Sequence, residues 1–73
     1  MYKIIFMYTD GTKLSFENLK SIQYPASSWK NVSGDELLTH FFPLEADYHL
    51  QLENKGCMVS HKDLLVIEIT KMS

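Results

Sequence analysis

Alternation of apolar and polar residues predicts a β-rich chain that opens with a hairpin. Residues 2–9 are rich in β-branched and aromatic side chains, and apolar residues fall on both faces of the predicted strand. A strand of this kind is typical of the interior of a sheet. Asp10 and Gly11 follow, a pair that accepts positive φ and forms tight turns, and residues 12–16 alternate again. We therefore expect a hairpin over residues 2–16.

A third strand and a loop are expected next. After a break at Glu17 and Asn18, residues 19–24 have strand composition and end at Pro25, which cannot donate a ladder hydrogen bond. Residues 25–32 show no apolar period, and they predict a loop.

Residues 33–42 predict the only helix. Ser33 and Glu36 fit a capping box at its start, and Pro43 stops it. Its apolar face consists of Leu37, Leu38, Phe41 and Phe42. A helix of about two and a half turns is not stable alone, so we expect this face to pack on the sheet.

The second half of the chain predicts three more strands. Residues 46–53 alternate cleanly, a turn follows at 54–56, and short apolar segments at 57–60 and 64–70 flank a break. The resulting order is β-β-β-α-β-β-β within one small domain, residues 1–73. We predict an α+β fold: a small antiparallel sheet or partly open barrel of about five to six strands with one short helix packed on it.

The two ends of the chain resemble each other at an offset of 45 residues. Residues 11–24 and 56–69 share four identities in fourteen positions, and Asn18 corresponds to Asp63. Two explanations stay open. One is a duplicated three-strand unit with pseudo-two-fold symmetry, and the other is convergence of two strand–turn–strand segments that have the same register.

Composition narrows the function classes. The formal net charge is −2, and all seven basic residues are lysines, so the chain lacks the side chain best suited to bidentate phosphate and guanine recognition. One cysteine permits no internal disulfide. With no signal-peptide core and no apolar stretch long enough for a bilayer, we expect a cytoplasmic protein without membrane contact. Lysine without arginine is common in AT-rich coding DNA, which points to a low-GC bacterium or one of its mobile elements.

Candidate catalytic and metal chemistry is weak. Cys57 and three histidines are the only soft ligands, and their spacings match no metal motif, so we expect neither metal nor cofactor. Residues 60–63 read Ser-His-Lys-Asp, but a working triad assembles from distant segments and needs an oxyanion hole. We therefore expect that the protein is not an enzyme.

Unassigned apolar and aromatic residues indicate a binding protein instead. Tyr24, Pro25 and Trp29 form a candidate patch for a protein partner, since Trp and Tyr are favoured interface residues. The competing interpretation of Trp29 is that it folds over the sheet edge and covers the core. Ile5 and Met7 are candidates for self-association as a homodimer, because one helix covers only one face of the sheet. The sequence thus predicts a non-enzymatic, self-associating protein-interaction module, an accessory or regulatory protein of a bacterial mobile element.

The alternative function is weak binding of single-stranded nucleic acid. Tyr24 and Trp29 could stack on bases, flanked by Lys20 and Lys30. The net charge of −2 and the absence of arginine disfavour nucleic acid as a partner.

Overall fold

A computed structural model describes residues 1–72 and shows six strands. They are β1 (Tyr2–Tyr8), β2 (Lys13–Pro25), β3 (Trp29–Ser33), β4 (Tyr48–Leu52), β5 (Gly56–Val59) and β6 (Leu64–Lys71). A single 3₁₀ turn, Gly34–Leu38, lies between β3 and β4. The strands form one open antiparallel sheet in the order β5-β4-β2-β1-β6, with β3 paired to β2. The prediction of a small antiparallel sheet is confirmed, and β1 lies in its interior as its two apolar faces indicated.

The long strand β2 organises the sheet. Leu19 pairs with Tyr2 of β1 and with Leu52 of β4, so these two strands lie on opposite edges of β2. β3 pairs with residues 21–25 of β2, and part of that range also pairs with β4. β3 therefore lies on the edge of β2 opposite β4, which is the edge that β1 occupies along the first half of β2. One strand thus joins a three-stranded portion of the sheet, made with β1 and β6, to a four-stranded portion, made with β3, β4 and β5.

Two loop predictions are wrong at β2 and β3. The expected break at Glu17 and Asn18 does not end the strand: Asn18 takes a left-handed conformation with φ 61°, and the registers of both neighbouring strands shift beside it. β2 bends there and continues to Pro25. The expected loop over residues 25–32 is shorter than predicted, because Trp29–Ser33 pairs back onto β2. The local composition of these two segments does not predict a strand, and pairing with neighbouring strands stabilises the strand conformation there.

The predicted helix over residues 33–42, and with it the α+β fold class, is also wrong. The Ser33 side chain makes no capping hydrogen bond, and Gly34 adopts φ 64°, which is incompatible with a right-handed first turn. The segment forms one 3₁₀ turn that ends at Leu38. Of the predicted apolar face only Leu37 is fully buried, while Leu38 and Phe41 are exposed. A segment this short has too little hydrogen bonding of its own to hold an α-helix against these backbone constraints.

The core lies on the concave side of a strongly curved sheet. The Tyr48 ring contacts the rings of Phe6 and Tyr24, with centroids 6.2 and 5.3 Å apart. Phe6 and Tyr48 belong to strands that β2 separates, and their rings meet on the buried side of β2. The smallest extent of the molecule is 23 Å, far more than the thickness of one flat sheet, so the sheet curls over its own core. The fully buried residues are Ile4, Phe6, Leu19, Ile22, Val32, Leu37, Tyr48 and Leu50.

The two parts of the chain that resemble each other at an offset of 45 residues occupy related places in the sheet. A shift of 45 residues carries β1 onto β4, the first half of β2 onto β5, and its second half onto β6. The second half of β2 pairs with β4, and β6 pairs with β1, so the third strand of each half pairs with the first strand of the other. This is the strand exchange expected for pseudo-two-fold symmetry. The registers differ by one residue: Ile22 pairs with Leu50, whereas Ile67 pairs with Phe6.

Candidate functional site

The predicted patch of Tyr24, Pro25 and Trp29 does not form. Pro25 lies directly opposite Trp29 across the β2–β3 ladder, and Tyr24 lies opposite Lys30. Since successive residues of a strand point to opposite faces, the Tyr24 and Trp29 side chains face away from each other. Tyr24 is buried, whereas Trp29 is 68% exposed and does not cover the core. Only Pro25 and Trp29 remain as a surface pair.

The same geometry divides the candidate nucleic-acid residues. Lys30 shares a face with Tyr24 and not with Trp29, and the buried Tyr24 ring is closed to a stacking base. Lys20 is exposed at the irregularity in β2 beside Leu19. The four residues therefore do not make one continuous platform.

Ile5 and Met7 lie on the convex face, opposite the core. Ile5 is flanked by Ser15 and Glu68 on the neighbouring strands, and both apolar side chains are half-buried. No other element among residues 1–72 packs over this face. The structure thus leaves the two residues uncovered, with Ile5 between polar neighbours and Met7 between Lys13 and Val66.

The most apolar surface is a groove that none of these predictions named. It is open, has a volume of about 550 Å³, and runs between residues 37–45 and β6. Five of the ten exposed large hydrophobic residues among residues 1–72 line it: Leu38, Phe41, Leu44, Leu65 and Val66. Phe41 is 91% exposed. An apolar side chain so placed beside other apolar residues marks a binding surface more often than a scattered exposed residue does.

The wall of the groove is fixed by buried contacts on either side of Phe41. His40 Nε2 lies 2.7 Å from the Tyr24 hydroxyl oxygen. The Phe42 ring packs against His40 and Tyr48, with centroids 4.6 and 5.8 Å apart, and the Tyr48 hydroxyl donates to the Pro43 carbonyl. With both neighbours held in this way, Phe41 projects to the surface from an anchored segment.

The opposite wall is β6, whose outer edge has no partner strand in the described chain. Met72 donates its N–H to the Met1 carbonyl, at 2.9 Å, and this bond sets the phase of the β1–β6 ladder. Because hydrogen-bonded pairs alternate along antiparallel strands, Val66, Glu68 and Thr70 direct their backbone groups to β1. Ile67, Ile69 and Lys71 direct theirs outward, beside the groove. β6 contains no proline and no charge at its centre except Glu68, so it has little of the protection usual on edge strands.

An ion pair links the 3₁₀ turn to β6. Lys71 Nζ lies 3.1 Å from Asp35 Oδ1, and the Tyr2 hydroxyl donates to the same oxygen. The Tyr2 hydrogen bond, followed by Lys71, holds the pKa of Asp35 below its ordinary value, and Asp35 raises the pKa of Lys71. These contacts join the 3₁₀ turn to the ends of β1 and β6.

His61 of the Ser-His-Lys-Asp segment pairs with an aspartate outside that segment. His61 Nδ1 lies 2.5 Å from Asp47 Oδ1 rather than pairing with its neighbour Asp63, and both side chains are about half exposed. The hydrogen bonds from His61 lower the pKa of Asp47. Within residues 1–72, no three His, Cys, Asp or Glu side chains are grouped so that they could hold a metal ion.

A signal for the groove was present in the sequence. Residues 64–67 form an unbroken apolar run, Leu-Leu-Val-Ile, which a strand with one solvated face does not need. The sequence pattern places Phe41 on a predicted helix face, and this conceals its exposure.

No helix of the described chain has the length and apolar character to cross a membrane. Comparison with protein-family models, curated protein sequences and solved structures finds no match to this chain.

Proposed function

We propose that this chain is a non-enzymatic protein-interaction module that binds through the groove and the free edge of β6. The observation that carries the proposal is the juxtaposition of two features. Outward backbone groups of Ile67, Ile69 and Lys71 offer hydrogen bonds, and the groove beside them offers apolar contact. This combination suits the addition of a strand from another polypeptide, in which main-chain bonds give affinity and pockets for alternate side chains give specificity.

The composition of the surface supports the same interpretation. Phe41 and Leu65 present large apolar side chains on an anchored wall and on a strand, so little conformational entropy is lost on binding. The lone cysteine and the basic set made only of lysine support a cytoplasmic accessory or regulatory protein of a bacterial mobile element.

The test is a matched pair of surface variants. Phe41→Ser removes the most exposed aromatic side chain of the groove, and Trp29→Ser removes the other exposed large aromatic residue, which lies away from it. Tagged wild type and both variants would be used to capture proteins from the source cell, and each captured protein would be purified and its affinity measured. We expect at least tenfold weaker binding for Phe41→Ser and unchanged binding for Trp29→Ser. The reverse result would refute the groove as the binding site.

Weak binding of single-stranded nucleic acid is the second candidate. The high exposure of Trp29 favours it, although Tyr24 is buried and Lys30 lies on the opposite face of β3 from Trp29. Titration of tryptophan fluorescence with oligonucleotides at low salt tests it directly, because electrostatic binding is strongest there. Quenching that is reversed at high salt is the expected result, and an unchanged spectrum at low salt rejects the candidate.

A further inference from the structure

We infer that the occupant of the groove is a second copy of this chain, paired antiparallel through β6. The inference rests on the proposed function and names its partner. A second β6 offers the same outward N–H and C=O groups, so two copies satisfy each other about a two-fold axis. Such a closed pair also removes the unprotected edge, which a monomer leaves open to uncontrolled association.

The charge pattern of β6 selects the register. An axis at Glu68 sets Glu68 opposite Glu68 of the second copy, which is repulsive. An axis at Ile69 sets Ile67 opposite a lysine. An axis at Ile67 sets Ile67 opposite its own copy and Glu68 opposite Val66, so no like charges meet. The structure thus favours pairing centred on Ile67.

The edge of β6 is long enough for such a pair. Eight residues of β6 extend over about 27 Å, which matches the 28 Å width of the molecule. Ile67 and Ile69 share the core-facing side of the sheet with Phe6 and Ile4. In the pair, the same side chains of the second copy would enter the groove beside them.

Disulfide trapping tests both the pairing and its register. In a Cys57→Ser background, Ile67→Cys, Glu68→Cys and Ile69→Cys are made one at a time and oxidised with glutathione disulfide. Opposed residues of a hydrogen-bonded pair have Cα atoms about 5.5 Å apart, within disulfide range. We expect Ile67→Cys to cross-link at least tenfold faster than the other two. Fastest cross-linking at 68 or 69 overturns the register.

Light scattering of the unmodified chain supplies the second measurement. We expect a dimer at high concentration, and a monomer for Phe41→Ser and for Ile69→Pro. Proline at Ile69 removes an outward N–H, whereas Thr70→Pro removes a donor to β1 and serves as the destabilised control. A wild type that is monomeric at high concentration overturns the inference. If that monomer still binds a purified partner in a Phe41-dependent way, the proposed function survives without it.

Discussion

Asn18 and Asp63, 45 positions apart, share a left-handed backbone, with φ 61° and 63°. Each is followed by a buried leucine, Leu19 or Leu64. At both places the chain changes its pairing partner. At Asn18, β2 passes from pairing with β1 to pairing with β4. At Asp63, the chain passes from β5, which pairs with β4, to β6, which pairs with β1. The weak sequence similarity between the two parts of the chain therefore coincides with a repeated change of strand partner. The two places differ in one respect, because β2 continues through Asn18 whereas a turn precedes Leu64.

The left-handed backbone at Asn18 predicts that two substitutions there differ in their effect on stability. Asn18→Ala should lower the free energy of unfolding by about 1 kcal/mol, because Ala adopts this conformation less readily than Asn. Asn18→Gly should leave it nearly unchanged. Asn31→Ala, at an exposed β3 position with negative φ, is the control. Urea denaturation measures all three, and equal losses for Ala and Gly at position 18 would contradict the account.

The contact between Tyr24 and His40 predicts a local effect on the groove. Tyr24→Phe leaves the half-buried His40 Nε2 without its partner and should cost about 1 kcal/mol of stability. Amide hydrogen exchange should accelerate over residues 39–47, since the anchor of that segment is lost. Tyr8→Phe is the control, because its hydroxyl donates at 3.1 Å to the exposed Ser60 carbonyl. Equal acceleration in both variants would argue against a specific anchor.

The single 3₁₀ turn predicts that adjacent leucines differ sharply. Leu37 is 2% exposed and Leu38 is 44% exposed. Leu37→Ala should cost about 2–5 kcal/mol through lost burial and a cavity, and Leu38→Ala less than about 1 kcal/mol. Thermal or urea unfolding compares the two variants. Similar losses would instead fit the helix face that the sequence predicts.

Two carboxyl groups predict loss of stability in acid. The pKa values of Asp35 and Asp47 lie below the ordinary 3.8 because their ionised forms accept hydrogen bonds. A depressed folded-state pKa adds stability above the unfolded value, and this stability is lost as the pH falls through the folded value. Wild type should therefore exceed the double variant Asp35→Asn and Asp47→Asn in stability at neutral pH, and the difference should shrink below about pH 4.

The matched control for this pH series is Glu53→Gln. It removes one exposed carboxyl that makes no hydrogen bond or ion pair within residues 1–72. Its urea midpoint should follow the wild-type curve between neutral pH and acid. A double variant whose deficit stays constant with pH would show that the two aspartates do not carry the effect.

The local sequence pattern predicts the strands well where apolar and polar residues alternate or where both faces are apolar. Residues 2–8, 48–52 and 64–70 alternate or are apolar on both faces, and each forms a strand close to the predicted bounds. The turn at Gly11 was also predicted correctly, since its φ of 90° is a property of glycine rather than of the fold. These features depend on neighbouring residues alone.

What the sequence by itself determined is the opening hairpin and the antiparallel sheet, because side-chain period and turn chemistry are local. Only the tertiary structure decided that Trp29–Ser33 pairs with β2, that Tyr24 is buried, and that Phe41 is exposed. These outcomes depend on which strand edges meet and on how the sheet curls over Tyr48. The groove is created by that long-range packing, so the apolar run of residues 64–67 does not specify it alone.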